Sequence, residues 1–182
     1  MSAPNQFRFM PIGPTADRGD GATPDKLEYE EFYVAYGECF SIWSEVELRL
    51  FAIFACLIRS PDYEAMSSSF YSTTGFRSKL DMVDAVVTNS KRVGEEEKKT
   101  WATLRQSATR SSKRRNHLAH GTVYFGREAS ERRKIFVGDP RQPYKRTRLH
   151  THDLRELQES FSALSLELGM FWQRHSAQPV VA

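Results

Sequence analysis

Cysteine is scarce: Cys39 and Cys56 are the two in 182 residues. That is too few for a zinc pattern or a disulfide framework. Both lie in an apolar stretch, where a free thiol behaves as a small hydrophobe. If one straight helix carries both, they stand about 25 Å apart, too far for a bridge. No run of 18 apolar residues occurs, so no membrane-spanning helix is expected. The first residues also lack a basic-then-apolar leader, and the expectation is a cytoplasmic protein with no membrane contact. Glycine-rich phosphate loops, G-x-S-x-G and a catalytic carboxylate pair are all missing, and no cofactor is expected. His150 and His152 form an H-x-H pair with no thiol or acidic group read as completing a site, so no metal is expected either. No internal repeat is visible.

Acidic residues are the other scarce commodity, but only in one third of the chain. Residues 101–150 hold thirteen Lys/Arg against three Asp/Glu, a net of +10, while residues 1–100 carry −5 and 151–182 carry −2. The formal net charge of +3 conceals this segregation. A contiguous basic third favours a phosphate-bearing or acidic partner, with a solvated basic face as the plainer reading. The length suits one ordinary domain. Charged residues at 27% and apolar residues at 40% fit a helical domain with much solvated surface.

Residues 1–24, rich in Pro and Gly, read as a flexible tail, and 177–182 as a loose end. From Asp25 to about Arg59, Tyr29, Tyr33, Tyr36, Phe40, Trp43, Leu50, Phe54 and Leu57 recur at helical spacing, with Val46, Ile53 and Ile58 widening the stripe. This predicts a long first helix, capped by Thr23 or Asp25 and with Gly37 as its likeliest kink. A short second helix is expected over Pro61–Phe70, a third from Phe76 to about Asn89, and a fourth from Glu95 to Ala119. The fourth begins acidic and ends basic, which complements its dipole, and Gly121 is expected to close it as a left-handed cap. Its small-residue middle, QSATRSSK, should line a cleft or pack tightly. Thr122–Phe125 and Ile135–Val137 read as strands, with Tyr144–Leu149 as a possible third. A final helix starts near Thr151 or Asp153, where Asp153 and Glu156 suggest a capping box. The fold expected is mainly α: a helical bundle over residues 25–176 with a basic β-hairpin inserted at about 122–149.

The chemistry concentrates at Lys113–Gly121, KRRNHLAHG. An imidazole can move a proton at neutral pH, and a guanidinium can bind a phosphodiester and the extra charge of its transition state. Together they suffice for cleavage of RNA without a metal, by attack of the ribose 2′-hydroxyl on the adjacent phosphorus. On an ideal helix, Asn116 and His120 share a face, as do Lys113, His117 and His120. Arg115 and His120 lie about 140° apart around the axis. They meet at one phosphate only if Arg115 reaches round, the last turn loosens, or a second subunit supplies one of the groups.

The segment RNHLAHG resembles the RxxxxH signature of the HEPN superfamily, with Arg115, the polar residue Asn116 straight after it, and His120. The resemblance implies a small HEPN-like helical bundle, frequently dimeric, and often a metal-independent endoribonuclease of toxin–antitoxin or phage-defence systems. It implies Arg115, Asn116 and His120 as the catalytic group, RNA as substrate, a homodimer, and a nucleotidyltransferase-type antitoxin as a partner. Arg114 fits a looser spacing of the same motif. Lys113, Arg114, His117, Arg132, Arg133, Lys134, Lys145 and Arg146 are the expected substrate-binding residues. The alternative is a non-catalytic HEPN-like module that docks nucleic acid or an acidic protein on its basic face. The plainest reading of the cluster is that it balances the dipole at a helix C-terminus.

Overall fold

In the computed structural model, residues 26–127, 133–141 and 148–176 are described, and the side chains of 125–127 and 133–134 are left aside. Five helices and one small sheet account for them: α1 (Lys26–Ile58), α2 (Tyr63–Ser72), α3 (Phe76–Asn89), α4 (Glu95–His120), β1 (Thr122–Arg127), β2 (Arg133–Gly138) and α5 (Thr151–Ser176). The mainly helical class follows from this order. Backbone contacts divide the chain into two compact units, one from Met1–Glu38 and Asn116–Glu156, the other from Cys39–Arg115 and Leu157–Ala182.

In the larger unit, α1 contributes the buried line Cys39, Trp43, Val46, Leu50, Ile53, Phe54 and Leu57. Trp43 packs edge-on against Phe161 of α5 at 5.1 Å, and Phe51 and Phe54 each meet Phe70 of α2 at 5.3 Å. The Trp101 ring of α4 lies 5.5 Å from Phe171 of α5, and its Nε1 donates to Asp84 Oδ1 of α3 at 2.9 Å. Arg105 reaches the same face of α3, 3.0 Å from Asp81 and 3.5 Å from Asp84. Asp62 rather than Pro61 starts α2: its carboxylate accepts the Ala65 amide at 2.8 Å as an N-cap. Gly94 precedes α4, and its amide donates to Glu97 Oε2 at 3.0 Å, a reach-back from the third helical residue.

The small residues of α4 are used for packing. Ala108 and Ser111 are buried, and the Thr109 and Ser112 hydroxyls bond to carbonyls one turn back. A cleft of about 230 Å³ in this unit is lined instead by α1 and α5, including Glu45, Arg49, Ser165 and Gly169. Close packing, one of the two fates the sequence suggested for that stretch, is observed at Ala108 and Ser111.

The smaller unit buries Phe32 and Ala35 of α1, Leu118 of α4, Ile135, Phe136 and Val137 of β2, and Leu154 of α5. β1 and β2 pair antiparallel with Thr122 opposite Gly138 and Arg127 opposite Arg133. A further antiparallel bridge joins Val137 to Leu149 through two 2.9 Å bonds. The expected third strand is thus seen at its last residue, and 142–147 lie outside the described residues. Arg155 at the start of α5 pairs with Glu31 of α1 at 3.1 Å.

Although α1 is helical on both sides of Gly37 and its expected caps Thr23 and Asp25 fall outside the described residues, its tyrosine stripe needs correction. Its buried line at this end runs through Phe32 and Ala35 to Cys39, one residue round from the tyrosine line, and Tyr29 is exposed. Phenol rings dominate an aromatic count, yet their hydroxyls favour the boundary, whereas alanine and cysteine fit the tight interior. α4 includes His120. α5 begins at Thr151, one of the two expected starts, and Asp153 Oδ2 reaches back to the His150 amide at 2.8 Å.

Candidate functional site at the C-terminal end of α4

The last two turns of α4 carry Lys113, Arg114, Arg115, Asn116, His117 and His120, and the helix ends basic, as its dipole favours. Leu118 anchors this end in the core with no exposed surface. Lys113, Arg114, Asn116 and His120 are exposed, and Arg115 and His117 are half-buried. Leu118 therefore turns one side inward and leaves Asn116 and His120, one turn apart, on the solvent side. The Arg115 guanidinium lies 6.0 Å from the Phe40 ring centroid, a cation–π distance that restricts the side chain.

The helix does not loosen before His120. It is α-helical to that residue, and only then does the Gly121 amide turn back to the Leu118 carbonyl at 3.4 Å. The ideal separation of about 140° between Arg115 and His120 along α4 therefore stands. Of the three ways to unite them, loosening of the last turn is not the one observed.

Gly121 is not in the left-handed region. Its role is steric: a Cβ there would overlap Val137 Cγ1 of β2 and come within 3.0 Å of the His117 carbonyl oxygen. The glycine lets β2 approach the helix end, so the chain passes from His120 to the first residue of β1 across one small residue. Sequence reading found the right residue and the wrong reason, since a glycine after a helix signals a cap before it signals a contact.

Among the more distant basic residues expected to hold substrate, Arg133 and Lys134 have their backbones in β2, opposite Arg127 and Gly126. Arg132, Lys145 and Arg146 lie outside the described residues. Arg148, the last member of the basic segment, and an aromatic pair missed in the sequence stand in the same unit as His120. The Arg148 guanidinium lies 4.7 Å from the Phe136 ring centroid, and the Tyr124 and Phe136 rings stack at 5.6 Å. The alternation of basic and aromatic residues from Tyr124 to His150 was the available signal. His150 and His152 do have an acidic neighbour, Asp153, whose Oδ1 lies 3.3 Å from His152 Nε2. Among the described residues, no group of three ligand-type side chains could hold a metal ion.

Comparison with protein-family models, curated proteins and solved structures finds no match to the chain. No helix among the described residues is long and apolar enough to cross a membrane.

Proposed function

We propose that the chain is a metal-independent endoribonuclease of the HEPN type, acting as a homodimer. The observation that carries this reading is the exposure of Asn116 and His120 on adjacent turns at a basic helix end. His120 takes the proton from a ribose 2′-hydroxyl, whose oxygen attacks the adjacent phosphorus. The P–O5′ bond breaks, leaving a 2′,3′-cyclic phosphate, and the departing 5′-oxygen receives a proton from the His120 of the second copy. Arg115 neutralises the charge gathering on the non-bridging oxygens, and Asn116 positions the phosphate. Lys113, Arg114 and His117 hold neighbouring phosphates, and the basic segment 127–148 draws RNA in electrostatically. A toxin or phage-defence role, with a nucleotidyltransferase-type antitoxin as partner, is part of the same proposal.

The test is cleavage of RNA in EDTA. The wild-type protein should cut, and His120→Ala should abolish cutting with the fold intact by circular dichroism. Mixing wild-type protein with an equal amount of His120→Ala should leave about a quarter of the activity of an all-wild-type sample at the same total concentration, because each site needs both His120 groups and only the quarter of dimers that are wild-type in both subunits stays active. Activity surviving in His120→Ala removes this mechanism.

The divergence of Arg115 and His120 along an intact helix favours a second reading, a binding module without catalysis. Salt-sensitive RNA binding with no cleavage, unchanged in His120→Ala, is its signature.

A further inference from the structure

The sheet and the start of α5 carry a series of planar groups that the catalytic proposal does not use. Tyr124 and Phe136 are opposite one another across the β1–β2 pair, with ring planes 27° apart. Phe136 is buried, and its ring lies 5.6 Å from the His150 ring. The His150 and His152 rings follow at 6.0 Å with planes only 5° apart. The His152 side chain is 74% exposed, so the series runs from the core to an open imidazole face.

One carboxylate fixes the outer end. Asp153 accepts the His150 amide through Oδ2 at 2.8 Å and stands 3.3 Å from His152 Nε2 through Oδ1. Both histidine positions are therefore set by the first turn of α5, a rigid element, and the two imidazole planes are parallel before any ligand arrives, while the Phe136 plane is tilted 54° to that of His150.

We propose that this ladder, Tyr124–Phe136–His150–His152, is a stacking site for an unpaired nucleobase of single-stranded RNA, seated on the open face of His152. The proposal rests on the RNA reading above and adds where a base is held. A π-face accepts any base, and stacking on an aromatic or imidazole ring is a general mode of single-strand recognition. The polar surroundings select the base over the phosphate. A phosphate at the His152 edge would meet the Asp153 carboxylate, whereas a base lying flat on the ring avoids it. Arg148, held over Phe136 at 4.7 Å, supplies positive charge in the same ladder for the backbone of the stacked nucleotide.

The experiment is fluorescence anisotropy on the full chain, using a 2′-O-methyl oligoadenylate of about twelve nucleotides, which cannot be cut, and an abasic oligomer of equal length and charge. His152→Ala should weaken binding of the oligoadenylate about tenfold and leave the abasic oligomer within about twofold, while His152→Phe should retain most of the affinity. Unchanged oligoadenylate binding in His152→Ala overturns the site. So does equal weakening of both oligomers, or failure of His152→Phe to do better than His152→Ala, since either result means that charge rather than stacking was lost. A wild-type protein that binds neither oligomer overturns both the site and the RNA reading. Base-dependent binding through His152 in a protein that cuts no RNA would uphold the site and remove the ribonuclease reading alone.

Discussion

Lys79 Nζ of α3 lies 2.7 Å from Glu47 Oε2 of α1, with only 9% of the lysine side chain exposed. The other carboxylate oxygen, Oε1, accepts Trp43 Nε1 at 3.1 Å. The Tyr71 ring centroid stands 5.3 Å from the same ammonium. A buried cation is thus met by an anion, an aromatic face and an indole-braced geometry, which offsets its desolvation.

Removing either partner alone leaves the other charge buried without its counterpart. Lys79→Met or Glu47→Leu should each cost about 3 kcal/mol, and the double variant should cost less than either single change. Chemical denaturation of the four proteins gives the coupling directly. Additive losses would mean that the pair does not act as a unit.

Gly121 stands where a methyl group would overlap Val137. Gly121→Ala should destabilise the protein by about 1–3 kcal/mol. Val137→Ala empties the space that the new methyl group invades, so in that background Gly121→Ala should cost much less. Equal cost in both backgrounds, measured by urea denaturation, would place the strain elsewhere.

Burial pushes the Tyr33 phenol above its usual value of 10.0, with Tyr29 and Tyr36 adding to the effect once ionised, and burial does the same for Tyr71 beside Tyr63 and Glu47. The folded protein holds these protons more tightly than the unfolded chain. Their contribution is therefore intact below the ordinary phenol range and is lost as pH rises through the raised values. Stability should fall on going from about pH 8 to about pH 11, and Tyr33→Phe/Tyr71→Phe should fall less. Urea midpoints at the two pH values measure this, and parallel falls in both proteins would exclude the phenols as its source.

Much of the architecture is legible in the sequence because its signals are local. The acidic start of α4, the turn after Asn89 and the aliphatic spacing of α5 each mark an element through nearest neighbours. What was missed depends on contacts between distant segments. Glu47 and Lys79 are 32 residues apart and look like ordinary surface charges. The overlap at Gly121 requires knowing that Val137 returns there. The tyrosines of α1 form a better aromatic stripe than Phe32, Ala35 and Cys39, yet the smaller residues pack inward. At the candidate site, the spacing of Arg115, Asn116 and His120 could be read directly. The exposure of His120 and the hold on Arg115 by Phe40 could not, since both depend on how the helix meets its neighbours.

The two compact units differ in chromophores as well as in sequence. Trp43, Trp101 and Trp172, all of the chain's tryptophans, belong to the larger unit, and Tyr29, Tyr33, Tyr36 and Tyr124 belong to the smaller. Two of the indoles are buried, each donating Nε1 to a carboxylate, Glu47 for Trp43 and Asp84 for Trp101. Emission excited in the indole band therefore reports on the larger unit, and the half of the chain that carries His120 is dark at that wavelength. A tryptophan placed in the smaller unit would be the first indole reporter of that half.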